Sequence, residues 1–207
     1  MDIKPYKKEF DYSYTLGAFP TFELLDAAPQ TVEEVLVHSS FTDREKLEKL
    51  CQDRGIPVVT NDKLISKLSD KENVYVIGIF RKYKTVLEAS KPHLVLVNPG
   101  NMGNLGTIIR TACGFGISDI AVIEPAADVF NPKTVRASMG SLFRERYQCF
   151  ESFDEYAGKY GSGERKIFTF MLNGTKQLTV ADCPKPELFS LVFGNEATGL
   201  PDEYLDP

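Results

Sequence analysis

Apolar residues in this chain follow two alternating rhythms. Short continuous runs at 35–37, 56–59, 74–80, 94–97, 120–123, 147–150, 167–172 and 188–193 have the length and the β-branched or aromatic content of strands. Between them the apolar positions fall at helical spacing. Pro20 or Thr21 opens a helix whose apolar side is Phe22, Leu24 and Leu25. Thr42 or Asp43 caps a second, with Leu47 and Leu50 facing a core and Gly55 at its end, and Asn61 or Asp62 caps a third through Leu68. Ile108, Ile109, Ala112 and Phe115 mark a fourth, which Gly116 stops. Asn131-Pro132 starts another, and Ser152 caps one running to Tyr160. Residues 1–15, charged and aromatic by turns, have no period and read as an extended arm.

Strand and helix in alternation predict an α/β fold, in two parts. Residues 81–92 break the pattern with basic and polar positions and read as the connection between a domain at 1–85 and a second at 86–207. The chain of 207 residues is 43% apolar and 26% charged, ordinary for a globular protein with a core. No apolar run approaches the roughly 20 residues of a membrane span. The start of the chain has no apolar signal core, which predicts a cytoplasmic protein. Cys51, Cys113, Cys149 and Cys183 form no Cys-x-x-Cys pair, and His38 and His93 have no ligand-spaced partners, so no metal site is expected. A net charge of −5 excludes a uniformly basic nucleic-acid binder. It leaves room for local patches. The basic stretches at 81–84 and 136–146, each taken alone, read as solvated surface.

The chemistry concentrates in two glycine-rich stretches, each following a strand. The first, 98–106, reads as a loop that gives positive φ angles and lets a ligand approach the backbone. Gly100, Gly103 and Gly106 precede a helix and Glu124 ends the next strand, an arrangement near that of a dinucleotide site, although the spacing is Gly-x-x-Gly-x-x-Gly. That reading leaves Arg110, set in an apolar helix, unexplained. In the second stretch, 194–201, Gly194 and Gly199 flank Glu196 directly after a strand, where open α/β sheets bind ligands. A carboxylate there could hold an arginine bidentately, or cap a helix at 200–204.

Asn104-Leu105-Gly106-Thr107-Ile108-Ile109-Arg110-Thr111-Ala112, followed by Phe115-Gly116, resembles the first motif of the SpoU (TrmH) RNA ribose methyltransferases of the SPOUT class. Phe193-Gly194-Asn195-Glu196-Ala197-Thr198-Gly199-Leu200 resembles their second motif, with Asn where Ser, Ala or Gln is commoner, and Arg136-Ala137-Ser138-Met139-Gly140-Ser141-Leu142 is also similar to the family. The resemblance covers residues 90–207. More weakly, 1–85 resembles the L30e-like substrate-binding domain often attached in front.

The resemblance implies methyl transfer from S-adenosylmethionine to a ribose 2′-hydroxyl of rRNA or tRNA. It implies a Rossmann-like parallel sheet with a C-terminal trefoil knot, and a homodimer. It makes Asn104 the residue that orients the site, Arg110 the proposed general base and Glu196 its support. It assigns the cofactor to Met171, Leu172, Gly194, Asn195, Gly199 and Leu200, with no metal and no membrane. Arginine is nearly always protonated in proteins, so clamping a phosphate and stabilising the developing alkoxide suits Arg110 better than proton abstraction. The family's third motif, which carries a Ser-Leu-Asn segment, does not occur within 1–207. The knot segment is therefore expected to be missing from this chain, with weak or no cofactor binding. Two rival readings are a non-catalytic RNA-binding relative and a nicotinamide-dependent enzyme using Gly100–Gly106 and Glu124.

Overall fold

The structure, a computed structural model, describes residues 3–69, 71, 73–174, 179, 184 and 186–205. The chain forms two compact units that do not follow sequence order. One contains Met1–Tyr83, Met102–Arg110 and Asp128–Arg144; the other contains Lys84–Asn101, Thr111–Ala127 and Glu145–Pro207.

The first unit is built on a four-stranded sheet of β1 (Tyr12–Tyr14), β2 (Val32–Val37), β3 (Val58–Thr60) and β4 (Val76–Arg81), in the order β1-β4-β2-β3. β2 and β3 are parallel, and β4 is antiparallel to both of its neighbours. Period-two alternation divides the core into two layers. Val35, Val37 and Val76 face Leu25 of α1 (Ala18–Ala27) and Leu47 and Cys51 of α2 (Arg44–Gln52). Leu36, Ile77 and Ile79 face Ile65 and Leu68 of α3 (Asp62–Leu68) together with Tyr12 and Tyr14. Gly78 admits α1, since a Cβ there would lie 2.9 Å from Leu24 Cδ2. Asn61 caps α3 as expected, accepting from the Leu64 N–H at 3.0 Å.

The N-terminal residues are not a free arm. Ile3, Tyr12 and Tyr14 are buried, and β1 pairs with β4. Tyrosine hides this strand from a binary reading. Its ring is buried while its hydroxyl stays polar, as where Tyr14 accepts from the Tyr6 N–H at 3.1 Å. Of the basic run at 81–84, Arg81 and Lys82 are paired inside the unit. Arg81 pairs with Asp11 and Glu33, and Lys82 with Asp128.

The second unit holds five parallel strands: β5 (His93–Val97), β6 (Asp119–Ile123), β7 (Arg146–Phe150), β8 (Lys166–Phe170) and β9 (Phe189–Phe193), in the order β7-β6-β5-β9-β8. β5 and β6 are buried at every position, which is why they read as continuous apolar runs. On one face Val95, Val97, Ala121, Ile123 and Val192 pack with Tyr156 and Tyr160 of α6 (Phe153–Tyr160) and with Tyr204 of the 3-10 turn Asp202–Leu205. Ser152 caps α6 through the Glu155 N–H at 3.2 Å. Residues 84–92 are not a loose connection. Leu87 is buried, the Tyr147 N–H donates to Thr85 Oγ1 at 2.7 Å, and the Glu88 N–H donates to Asp119 at 2.7 Å. No helix among the described residues is long and apolar enough to cross a membrane.

Buried polar groups collect where the strands of this sheet begin. The Arg165 guanidinium, itself buried, donates to the carbonyls of Phe189, Ala89 and Lys91 at 2.8–2.9 Å. His93 is buried against the Tyr156 hydroxyl at 2.9 Å, and burial lowers its pKa, keeping it neutral. Burial acts to raise the Asp119 pKa, but Arg146 at 2.6 and 2.7 Å, the Glu88 N–H and Ser118 outweigh it and hold the carboxyl below its ordinary range.

Glu145 has the opposite balance. Burial pushes its carboxyl pKa up, only partly offset by a hydrogen bond from Cys113, and its Oε2 has no partner among the described residues. A carboxyl with a raised folded pKa holds its proton longer than the unfolded chain does. Its contribution to stability is complete at low pH and is lost as pH rises through the raised value. The melting temperature of Glu145→Gln, relative to the parent, should therefore increase between about pH 4 and about pH 7. Thermal melts across that range check it; a constant difference would mean that Glu145 ionises normally.

Candidate active site

The site-forming segments leave the carboxyl ends of β5 and β9, which are neighbours in the sheet. From β5 the chain proceeds to β6 on one side, while β9 lies on the other, so the strand order reverses at this point. In open α/β sheets such a reversal opens a crevice for ligands.

At the end of β5, Asn98 takes a left-handed conformation with φ 51°, and its N–H donates to Ile123 O at 3.0 Å. Pro99, Gly100 and Asn101 then lead into α4 (Met102–Gly114). The glycine cluster is thus mostly helix rather than loop, which corrects the expectation from composition. Gly103 and Gly106 lie inside α4, and Gly106 is there for contact. A Cβ on it would meet Thr134 O at 2.4 Å, Ala137 Cβ at 2.7 Å and Ser138 N at 2.9 Å, all on or beside α5 (Pro132–Ala137). The dinucleotide reading loses its foundation, because two of its three glycines belong to a helix.

At the end of β9 the chain doubles back on itself. Asn195 and Gly199 form an antiparallel bridge, with the Gly199 N–H donating to Asn195 O at 2.9 Å, and Gly199 sits at φ 69°. Gly194 is required for this turn, since a Cβ would lie 2.2 Å from the Gly199 carbonyl carbon. The Asn195 amide joins the two strand ends. Its Nδ2 donates to Asn98 O at 2.7 Å while its Oδ1 accepts from the Ala197 and Thr198 N–H groups at 2.8 and 3.3 Å. The Glu196 carboxylate then reaches the segment ahead of α4, accepting from Gly100 N–H at 3.3 Å and Asn101 N–H at 3.4 Å. A carboxylate facing the N-terminal end of a helix is favoured by the helix dipole. These backbone partners of Glu196 were not anticipated from sequence. The Asn-Pro-Gly-Asn run after an apolar strand was the available signal.

The remaining predicted residues are placed as follows. Asn104 and Arg110 are exposed on α4, whereas Leu105, Ile109 and Ala112 supply its buried side. The Arg110 side chain has no ion pair or hydrogen bond among the described residues, so it is not a surface charge paired with an acid. Phe115 does not share the apolar side. It lies past the end of α4 and is 82% exposed. Met171 is half-buried against the core and Leu172 is fully exposed, both just beyond β8 rather than in it. Leu200 is buried in the core, so only its backbone is available. Among the described residues no group of His, Cys, Asp and Glu could hold a metal ion. Cys183 lies outside the described residues.

At the switch point of this parallel sheet the loops after β5 and β9 are joined through Asn195 and Glu196. Comparison with known proteins identifies the family. The model of the SpoU rRNA Methylase family matches residues 91–207, and the chain belongs to that family. The 23S rRNA (guanosine(2553)-2′-O)-methyltransferase RlmP of Bacillus subtilis (strain 168) is 32% identical over 180 residues, 86% of this chain and 70% of that protein. The crystal structure of an rRNA methyltransferase from Sinorhizobium meliloti is similar with a TM-score of 0.74 at 26% identity, covering 95% of this chain and 76% of that one. The SpoU methyltransferase AviRb from Streptomyces viridochromogenes, solved in complex with AdoMet, shares the fold with a TM-score of 0.77 at 20% identity, covering 94% of this chain and 77% of that one.

The Asn195 amide is the simplest lever on this site. Asn195→Ala should lower stability by about 0.5–1.5 kcal/mol, the net worth of hydrogen bonds to backbone groups that water can still reach. It should also speed hydrogen exchange at the Ala197 amide, read by NMR or mass spectrometry. Unchanged exchange there would mean that the loop holds its shape without the amide.

Proposed function

We propose that this protein is an RNA methyltransferase that transfers a methyl group from S-adenosylmethionine to a ribose 2′-hydroxyl of rRNA or tRNA. The observation that carries the reading is Glu196 fixed by Gly100 and Asn101 at the start of the Arg110 helix, at the sheet's switch point, in a chain of the SpoU family. RlmP, aligned over most of the chain, acts on 23S rRNA by its name, which makes rRNA the first substrate to assay.

Methyl transfer from a sulfonium requires the attacking oxygen in line with the departing sulfur, so positioning supplies much of the rate. Arg110, exposed and without a carboxylate partner among the described residues, has its donors available for the phosphate beside the target ribose and for the charge that develops on the 2′-oxygen. Its permanent charge argues for this role over that of a base. Asn104, a turn and a half earlier on the same exposed helix, orients the nucleotide. Glu196 supports both indirectly, by fixing the chain where α4 begins.

The residues assigned to the cofactor have suitable chemistry. Met171, Leu172, Gly194, Asn195, Gly199 and Leu200 lie at the carboxyl ends of β8 and β9. There the stacked and partly exposed rings of Phe170 and Phe193, 4.4 Å apart, form an uncharged apolar surface of the kind an adenosyl group takes. S-adenosylmethionine would supply the methyl group and the leaving thioether. In the same reading residues 1–85 form an L30e-like RNA-binding domain and 86–207 the methyltransferase domain. Homodimer assembly and a cytoplasmic location also belong to it.

Incubated with rRNA and labelled S-adenosylmethionine, the full-length protein should place the label on ribose, as nucleoside digestion followed by mass spectrometry would read. Arg110→Ala should lower the rate by about 100-fold or more with folding intact. Label on a base would overturn the reaction type. RNA binding without any transfer would favour a non-catalytic relative.

A further inference from the structure

Residues 128–144 lie between two strands of the second sheet in sequence, yet they belong to the first unit together with 102–110. The contacts within that unit show why. At its start the segment is anchored to the N-terminal sheet. Ser13 on β1 donates its hydroxyl to Phe130 O, Tyr6 donates to Asp128, Lys82 pairs with Asp128, and the Phe80 ring on β4 meets Phe130 at 5.8 Å. At its far end it is anchored to α1. Arg144 donates to Glu23 and to Asp26, each at 2.8 Å, and Phe143 meets Phe80 edge-on at 5.2 Å.

Between these anchors lies α5, and the turn that follows it is tight. Met139 and Gly140 are both left-handed, with φ 52° and 82°. A Cβ on Gly140 would lie 2.4 Å from Glu23 Cβ, so α1 touches the backbone there directly. The middle of the segment in turn touches α4, because Thr134 O, Ala137 Cβ and Ser138 N occupy the place of a Gly106 side chain. Close-packed interiors transmit displacement rather than absorb it.

We propose that the N-terminal part of the first unit is the mounting of the Arg110 helix, and that Glu23, Gly140 and Arg144 are positioning residues for the methyl-transfer site. α1 grips the turn at 139–144, the turn carries α5, and α5 seats the Gly106 face of α4, one turn from Arg110. RNA held by the N-terminal part is then held in a fixed relation to Arg110. The inference rests on the methyltransferase reading for its catalytic consequence, but its mechanical content does not.

The test is a charge exchange in the full-length protein. Arg144→Glu places a carboxylate opposite Glu23 and Asp26. It should lower kcat for ribose methylation about tenfold, the cost of a small misplacement. S-adenosylmethionine affinity by calorimetry should stay within about twofold, since the cofactor residues are in the other unit. Glu23→Arg combined with Arg144→Glu should restore kcat to within about threefold. Hydrogen exchange gives the readout that does not need activity. Arg144→Glu should speed exchange over 102–110 and 132–137 and leave 93–97 unchanged, and the double variant should reverse this. Exchange confined to 139–144, or a kcat loss that the exchange of charges does not rescue, would overturn the proposal. A parent protein that methylates no RNA would defeat the methyltransferase reading alone, leaving the exchange pattern to decide the mounting.

Discussion

The carboxylate of Glu196 set against the N–H groups of Gly100 and Asn101 joins the loop after β9 to the loop after β5. Two segments far apart in sequence meet there because β5 and β9 are adjacent in a sheet whose order reverses between them. The two hydrogen bonds are long, at 3.3 and 3.4 Å, and exposed, and what favours them is a negative charge set at the start of a helix. The Asn195 amide supplies what the carboxylate cannot, a donor. By donating a hydrogen bond to Asn98 O and accepting two from its own loop, it joins the two strand ends.

Glycine has three different uses in this chain, and none of them is a flexible loop. Gly194 lets the second loop fold onto itself, and Gly106 lets two helices approach until backbone meets backbone. Gly140, at positive φ, combines close approach with a conformation that side-chain-bearing residues rarely adopt. A methyl group would have to displace main chain at Gly194 and Gly106, and the Glu23 side chain at Gly140. Glycine-rich composition here records tight packing, which a spacing rule for nucleotide loops misreads.

The α/β class and the parallel sheet were legible in the sequence because β5 and β6 are buried on both faces and read as uninterrupted apolar runs. The caps at Asn61, Asn131 and Ser152 were legible because their chemistry is local. What stayed hidden depends on partners distant in sequence. β1 is a strand because β4 is beside it, and its tyrosines carry both polar and apolar character. The start of α4 was masked by glycines whose reason is α5, and Phe115 looked periodic only while the helix end was unknown. For the site, the two motifs and their order were readable. The backbone groups that receive Glu196 were not, because main-chain donors leave no letter in a sequence.

The placement of residues 128–144 limits how this protein can be divided. A cut after Tyr83 would leave Phe80 without the rings of Phe130 and Phe143, and Ser13, buried in β1, without its carbonyl partner. The N-terminal sheet is thus completed by chain that returns to it from between β6 and β7. Exchanging this sheet for that of a relative would need three segments to travel together, so the natural module for recombination is discontinuous in sequence.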